Sequence, residues 1–141
     1  GGAPATEEVV LSAADFDAFE QALYDVQKAF SDEDIAALRR LTTPEMVSFL
    51  SEDLAENAKA GVVNRPSDTK LLQGDLAEAW REGDDEYATV AMRFSLIDYK
   101  VDRASGALVE GSTSEPVEAT ELWTFRRSRG GPWLLSAIQQ A

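Results

Sequence analysis

The stretch "ELWTFRRSRGGPWLLSAIQQ" (residues 121–140) decides the fold. Two tryptophans flank a turn built of Arg, Ser, Gly and Pro, and an apolar run follows the second. Gly and Pro together mark a chain reversal, so "RSRGGP" (127–132) reads as the bend of a hairpin. Before it, residues 117–127 form a strand with Trp123 and Phe125 on one face. After it, a last strand begins at Trp133 and shows Trp133 and Leu135 on one face. Aromatic rings at period two on adjacent strands fill the space beneath a covering layer, which makes core the plain reading of these residues.

Working back from this hairpin, the period of two persists. Residues 87–101 place Val90, Met92, Phe94 and Leu96 on one side and Thr89, Arg93 and Ser95 on the other. "DRASGA" (102–107) and "EGDDE" (82–86) are turns, and Thr69 to Arg81 reads as a further strand. Strands joined by short turns make an antiparallel meander.

The first 61 residues follow the helical period instead. Ser12 with Asp15 three positions on is a capping-box start, and Phe16, Phe19, Leu23, Val26 and Phe30 fall on one helical face. Ser31 followed by Asp34 starts a short second helix with Ile35, Leu38 and Leu41. Thr43 and Pro44 start a third, striped by Met46, Phe49, Leu50 and Leu54 and stopped at Gly61. Helices first and then a run of strands is the pattern of an α+β fold with helices on one face of a sheet.

Composition narrows the chemistry. The 141 residues suit one domain and bury roughly two thirds of the unfolded surface. Acids outnumber bases 26 to 13, giving −13 overall, and residues 1–60 carry 13 acids against 4 bases. Such a chain is repelled by nucleic acid and by anionic lipid, because both are bound through Lys and Arg. The acidic half reads as a solvated helical face, or as a surface for a basic partner. Without Cys or His there is no disulfide, no imidazole-based triad and no ordinary zinc site, so no cofactor is implied and any metal would need oxygen ligands. "DDE" (84–86) does not match the spacing of a calcium loop and reads as a turn. No apolar run approaches the ~20 residues of a membrane span. The opening "GGAPATEEVV" has neither a signal-peptide layout nor an initiator Met, and residues 1–11 read as a linker end or a cloning remnant before a single domain at 12–141.

The ends of the hairpin also carry a resemblance. "LWTF" (122–125) and "WLLSAIQQ" (133–140), with "LRRLTTPEMVSFL" (38–50) and "YATVAMRFSLID" (87–98) upstream, resemble the C-terminal domain family of the matrix-side peripheral subunit of the mitochondrial inner-membrane presequence translocase, which has bacterial, notably alphaproteobacterial, members. The resemblance spans roughly residues 12–140, and the two-Trp ending is its most specific part. It implies a cone in which helices lean on a curved four-stranded antiparallel sheet, an architecture also called cystatin-like or nuclear-transport-factor-like. It further implies a non-enzymatic tether or scaffold associated with the inner membrane, facing the cytoplasm and binding a protein partner. The family's membrane-contacting N-terminal side corresponds here to "TEEVVLSAADFD" (6–17), with four acids and no base. That composition favours attachment through a segment upstream over direct lipid contact.

Cones of this type commonly leave an apolar cavity between helices and sheet, and its candidate walls are Phe19, Leu23, Phe49, Leu76, Trp80, Met92, Phe94 and Trp123. The plain alternative is that these side chains fill the space. Strand parity puts Glu121 with Val117, Ala119, Trp123 and Phe125. Glu78, between Leu76 and Trp80, and Asp98, two past Leu96, share that apolar company. Cones of this kind also house enzymes such as ketosteroid isomerase, so an isomerase-like or small-molecule-binding alternative uses Glu121, Asp98 or Glu78 as base and Tyr24, Tyr87 or Tyr99 as donor. Bulges that break the parity, or pairing with Arg81 or Arg93, are the structural explanation of the same carboxylates. Arg126, Arg127 and Arg129 form the densest positive cluster and the candidate anion site, or a turn that keeps the hairpin solvated.

Overall fold

The computed structural model describes residues 7–141, and its first helix is α1 (Ala13–Ser31). Its start is the capping box read from the sequence: the Ser12 hydroxyl accepts the Asp15 N–H, and the Asp15 carboxylate accepts the Ser12 N–H at 2.8 Å. Phe19, Leu23 and Val26 are buried as the helical stripe requires, whereas Phe16 lies at its margin and is 41% exposed. Helix α2 (Ile35–Leu41) is capped by Asp34, whose carboxylate accepts the Ala37 N–H; Ser31, the expected start, is instead the last residue of α1. Helix α3 (Pro44–Lys59) begins after the Thr43 cap with Pro44 in its first turn. It stops before Gly61, whose φ of +76° suits a residue without Cβ.

Two sheets follow. The larger has the order β1 (Glu7–Glu8), β3 (Ser67–Glu82), β4 (Asp85–Ile97), β7 (Val117–Ser128), β8 (Leu134–Gln140), all antiparallel. Four of these strands are the expected meander. The fifth, β1, falls inside the stretch 1–11 read as a linker or remnant, whose residues 1–6 lie outside the described residues. The smaller sheet, β2 (Val62–Asn64), β5 (Tyr99–Asp102), β6 (Leu108–Gly111), was not foreseen. Residues 87–101, read as one strand, divide at Asp98: pairing with β7 ends at Leu96 and Val117, and the chain then crosses to the small sheet. Gly111 permits that crossing. Its φ is +82°, and a Cβ there would lie 2.4 Å from the Asp98 carbonyl oxygen.

The core lies between helices and the larger sheet. Val90, Met92, Phe94 and Leu96 of β4 point inward together with Trp123 and Phe125 of β7. Phe19 stacks on Phe125 at 4.5 Å between ring centres. β7 and β8 are neighbours, but their indoles do not meet: Trp123 lies opposite Ile138, while Trp133, just before β8, packs edge-on against Phe19 at 5.1 Å. Three register shifts in β3 and one between β7 and β8 bend the sheet around the helices. The helix layer is tied to β8 at Thr42, which bridges Leu135 in parallel while its buried hydroxyl bonds Leu38 O. Beyond Leu135 the outer edge of β8 carries no further strand among the described residues.

Candidate functional site

The β4–β7 ladder runs from Asp85 and Ser128 at one end to Leu96 and Val117 at the other, and the two ends differ in chemistry. At the second end the helices diverge from the sheet over a cavity of about 390 Å³. Val26, Gln27 and Phe30 of α1 and Leu50 of α3 form its helical wall. Phe94, Leu96, Ala119, Trp123 and Ile138 form its sheet wall, and Asn64, Pro66, Asp98, Val117 and Glu118 form its rim.

Glu121 reaches this cavity because strand parity keeps it on the side of Trp123. The Trp123 side chain is buried, so its indole N–H needs an acceptor, and it donates to Glu121 Oε1 at 2.9 Å. Gln140 Nε2 donates to the other carboxylate oxygen at 3.0 Å. At the rim, Asp98 Oδ1 accepts from Asn64 Nδ2 at 2.8 Å, and Glu118 pairs with Arg93 at 2.9 Å. The lining therefore contains three carboxylates and, among the described residues, no Lys or Arg. No three acidic side chains among the described residues stand close enough to hold a metal ion.

The other expected wall residues separate. Phe94 and Trp123 line this cavity. Phe19 and Met92 border a smaller one of about 140 Å³, with Phe16, Leu71 and Val90. Leu23 is fully buried in the core. Phe49 is 54% exposed and borders a surface groove of about 210 Å³ with Met46 and Ser136–Ile138. Leu76 is exposed, and Trp80 stacks on Tyr87 at 5.0 Å on the sheet face away from the helices. Glu78 and Asp98 are exposed, contrary to the apolar company that parity assigned them. The register shift between Leu76 and Glu78 turns Glu78 outward, and Asp98 falls just past the end of β4, where pairing with β7 has stopped. Tyr24, Tyr87 and Tyr99 do not line the cavity beside Glu121; the Tyr24 hydroxyl instead donates to Glu20 at 2.6 Å. Gln27, Asn64 and Pro66 were missed, since nothing in their local spacing marks their approach to the sheet.

The arginine cluster sits at the opposite end and is largely engaged. Arg126 pairs with Asp85 at 2.8 Å, and Arg127 pairs with Asp15 at 2.9 Å and Glu86 at 3.1 Å while lying 4.2 Å above the Trp133 ring. Arg129 is exposed on the turn. Burial pushes the Glu86 carboxyl up, but hydrogen bonds and charge from Arg81 and Arg127 outweigh it and hold the group below the usual range. Asp15 behaves alike: burial is opposed by the Ser12 N–H, the Trp133 indole, the Ser12 hydroxyl and Arg127, and the net direction is down.

Helices closed over an antiparallel sheet at one end, with an open acidic-rimmed cavity at the other, define an α+β cone. The chain belongs to the Tim44-like domain family, whose model matches residues 10–140, the family indicated by the two-Trp ending. Among solved structures it is similar in fold to the intermembrane space region of the chloroplast protein ARC6, at 15% identity and a TM-score of 0.59, covering 94% of this chain and 100% of that one. A conserved protein from Planctomyces limnophilus DSM 3776 matches at 17% identity and a TM-score of 0.45, over 92% of this chain and 100% of that one. No curated protein matches the chain. Among the described residues no helix is long and apolar enough to cross a membrane.

Proposed function

We propose that the chain is a non-enzymatic interaction domain, a tether or scaffold, that receives a protein partner along the free edge of β8 beside Phe49. The observation that carries this reading is Phe49 itself, a large aromatic side chain 54% exposed next to Ser136, Ala137 and Ile138 of an edge strand. An open strand edge offers backbone donors and acceptors to an added strand, and an aromatic beside it anchors the partner's side chains. Membership of the Tim44-like family supports an interaction role. Glu121 supports it too, since both its oxygens hold structural donors rather than a second catalytic group. In this reading the domain works beside the inner membrane of a bacterial cell, facing the cytoplasm and held there by an attachment outside its own surface. Four acids and no base in residues 6–17 support that attachment, since each missing base forgoes about 1 kcal/mol at an anionic surface.

A photo-crosslinking residue placed at position 49 in cells is expected to yield one defined protein adduct. The same residue at position 76, exposed on β3, is expected to yield none. Phe49→Ala should weaken the isolated complex by about 2 kcal/mol, and Glu121→Gln should leave it unchanged. Equal adducts from positions 49 and 76, or a complex insensitive to Phe49→Ala, would exclude this edge as the partner site.

A further inference from the structure

Beyond the partner edge, we infer that the cavity at the open end binds a small organic cation, one positive charge carried on an apolar body, of the alkylammonium class. Its volume of about 390 Å³ lies within the roughly 300–1,000 Å³ of small-molecule sites. It meets the Phe49 groove only at Ile138, so the two surfaces can be tested separately.

The charge pattern selects the ligand. Of the three lining carboxylates, Glu118 is countered by Arg93 at 2.9 Å, while among the described residues Asp98 and Glu121 are met by neutral donors, from Asn64, Trp123 and Gln140. A neutral apolar ligand would strip water from those two carboxylates and return nothing, and an anion would be repelled. A cation repays that loss. Among the described residues no three acidic side chains gather as a metal site, so the potential is spread over the mouth rather than focused on a point. The remaining walls supply what an alkylammonium needs besides charge. Phe30 presents ring surface, which attracts cations at distances up to about 6 Å, and Ile138, Ala119 and Val117 take the chain, over a buried floor of Phe94 and Trp123. A net charge of −13 favours encounter with any cation.

The experiment titrates the intact domain with octylammonium, 1-octanol and octanoate, reading the Trp123 indole N–H resonance. That proton is bonded to Glu121 and so reports occupation of this cavity. Octylammonium is expected to shift the resonance with saturation, octanol to bind about tenfold more weakly, and octanoate not to bind. Raised salt should weaken the ammonium alone. Glu121→Gln, which keeps an acceptor for the indole, and Asp98→Asn should each reduce ammonium affinity severalfold and leave octanol unchanged. Octanol binding as tightly as octylammonium in the unmodified domain would overturn the inference. So would an ammonium affinity indifferent to both substitutions, or saturation that leaves the Trp123 resonance still.

Discussion

Arg127 stands at the centre of the closed end, its guanidinium shared between Asp15 and Glu86 and laid over the Trp133 ring. Glu86 also receives Arg81 at 2.9 Å, and Arg81 in turn reaches Glu7 of β1. The network thus joins the N-terminal strand, the first helix, β3, β4, β7 and the approach to β8. Glu86 is only 4% exposed, so removing its charge takes from two guanidiniums their most buried partner and leaves Arg127 to Asp15 and Arg81 to the exposed Glu7. Glu86→Gln is expected to cost about 2 kcal/mol at neutral pH, measured by urea unfolding. The pH dependence follows from the depressed carboxyls of Asp15 and Glu86. Their stabilisation is fully present above the unfolded values of about 4 and is lost as the pH falls through the lower folded values. The gap between native chain and Glu86→Gln should therefore shrink between pH 5 and pH 3, figures that bracket the ordinary carboxyl range of roughly 4. A gap independent of pH would assign the cost to packing instead.

Local signals and tertiary ones were not equally legible among the elements. α1 and α3 could be read because their starts are written in adjacent residues, Ser12 with Asp15 and Thr43 with Pro44. Inward residues of β4 and β7 could be read because one buried face imposes alternation. The small sheet could not. β2 has three residues, β6 is exposed throughout, and their shared partner β5 lies far from β2 in sequence. The site divides likewise: Glu121 and Trp123 follow from parity on one strand, whereas Asn64 and Gln27 reach the cavity through packing that no local pattern encodes. Gly111 shows how much that hidden geometry matters. Both its φ of +82° and the 2.4 Å approach to the Asp98 carbonyl exclude a side chain. Gly111→Ala should cost about 1–3 kcal/mol and raise amide exchange in β5 and β6 while leaving β7 protected. Unchanged exchange in the hairpin would mean that the crossing at Asp98 tolerates a Cβ.

Across the whole molecule, stability and openness are segregated to opposite ends. The large sheet encloses Trp123, Phe125, Phe94 and Met92 with the helices, and the closed end adds the ionic network. The small sheet has one buried side chain in its three strands, Val63, and none in β5 or β6. It is also tied to the turn between α1 and α2 by Arg103, which grips Glu33 with two hydrogen bonds of 2.8 Å and donates to Val62 O. With so little apolar area at stake, this sheet should open without global unfolding, at a free energy about 2 kcal/mol or more below that of β4 and β7. Native-state hydrogen exchange at rising urea measures the difference, and Arg103→Ala should widen it. Opening would also loosen the mouth, since Asn64 sits on β2 and Asp98 enters β5. A cation bound between them should therefore slow exchange in β2 and β5 while leaving β7 untouched. If β5 exchanges only with the global transition, the small sheet is part of the rigid wall and the cavity has a fixed mouth.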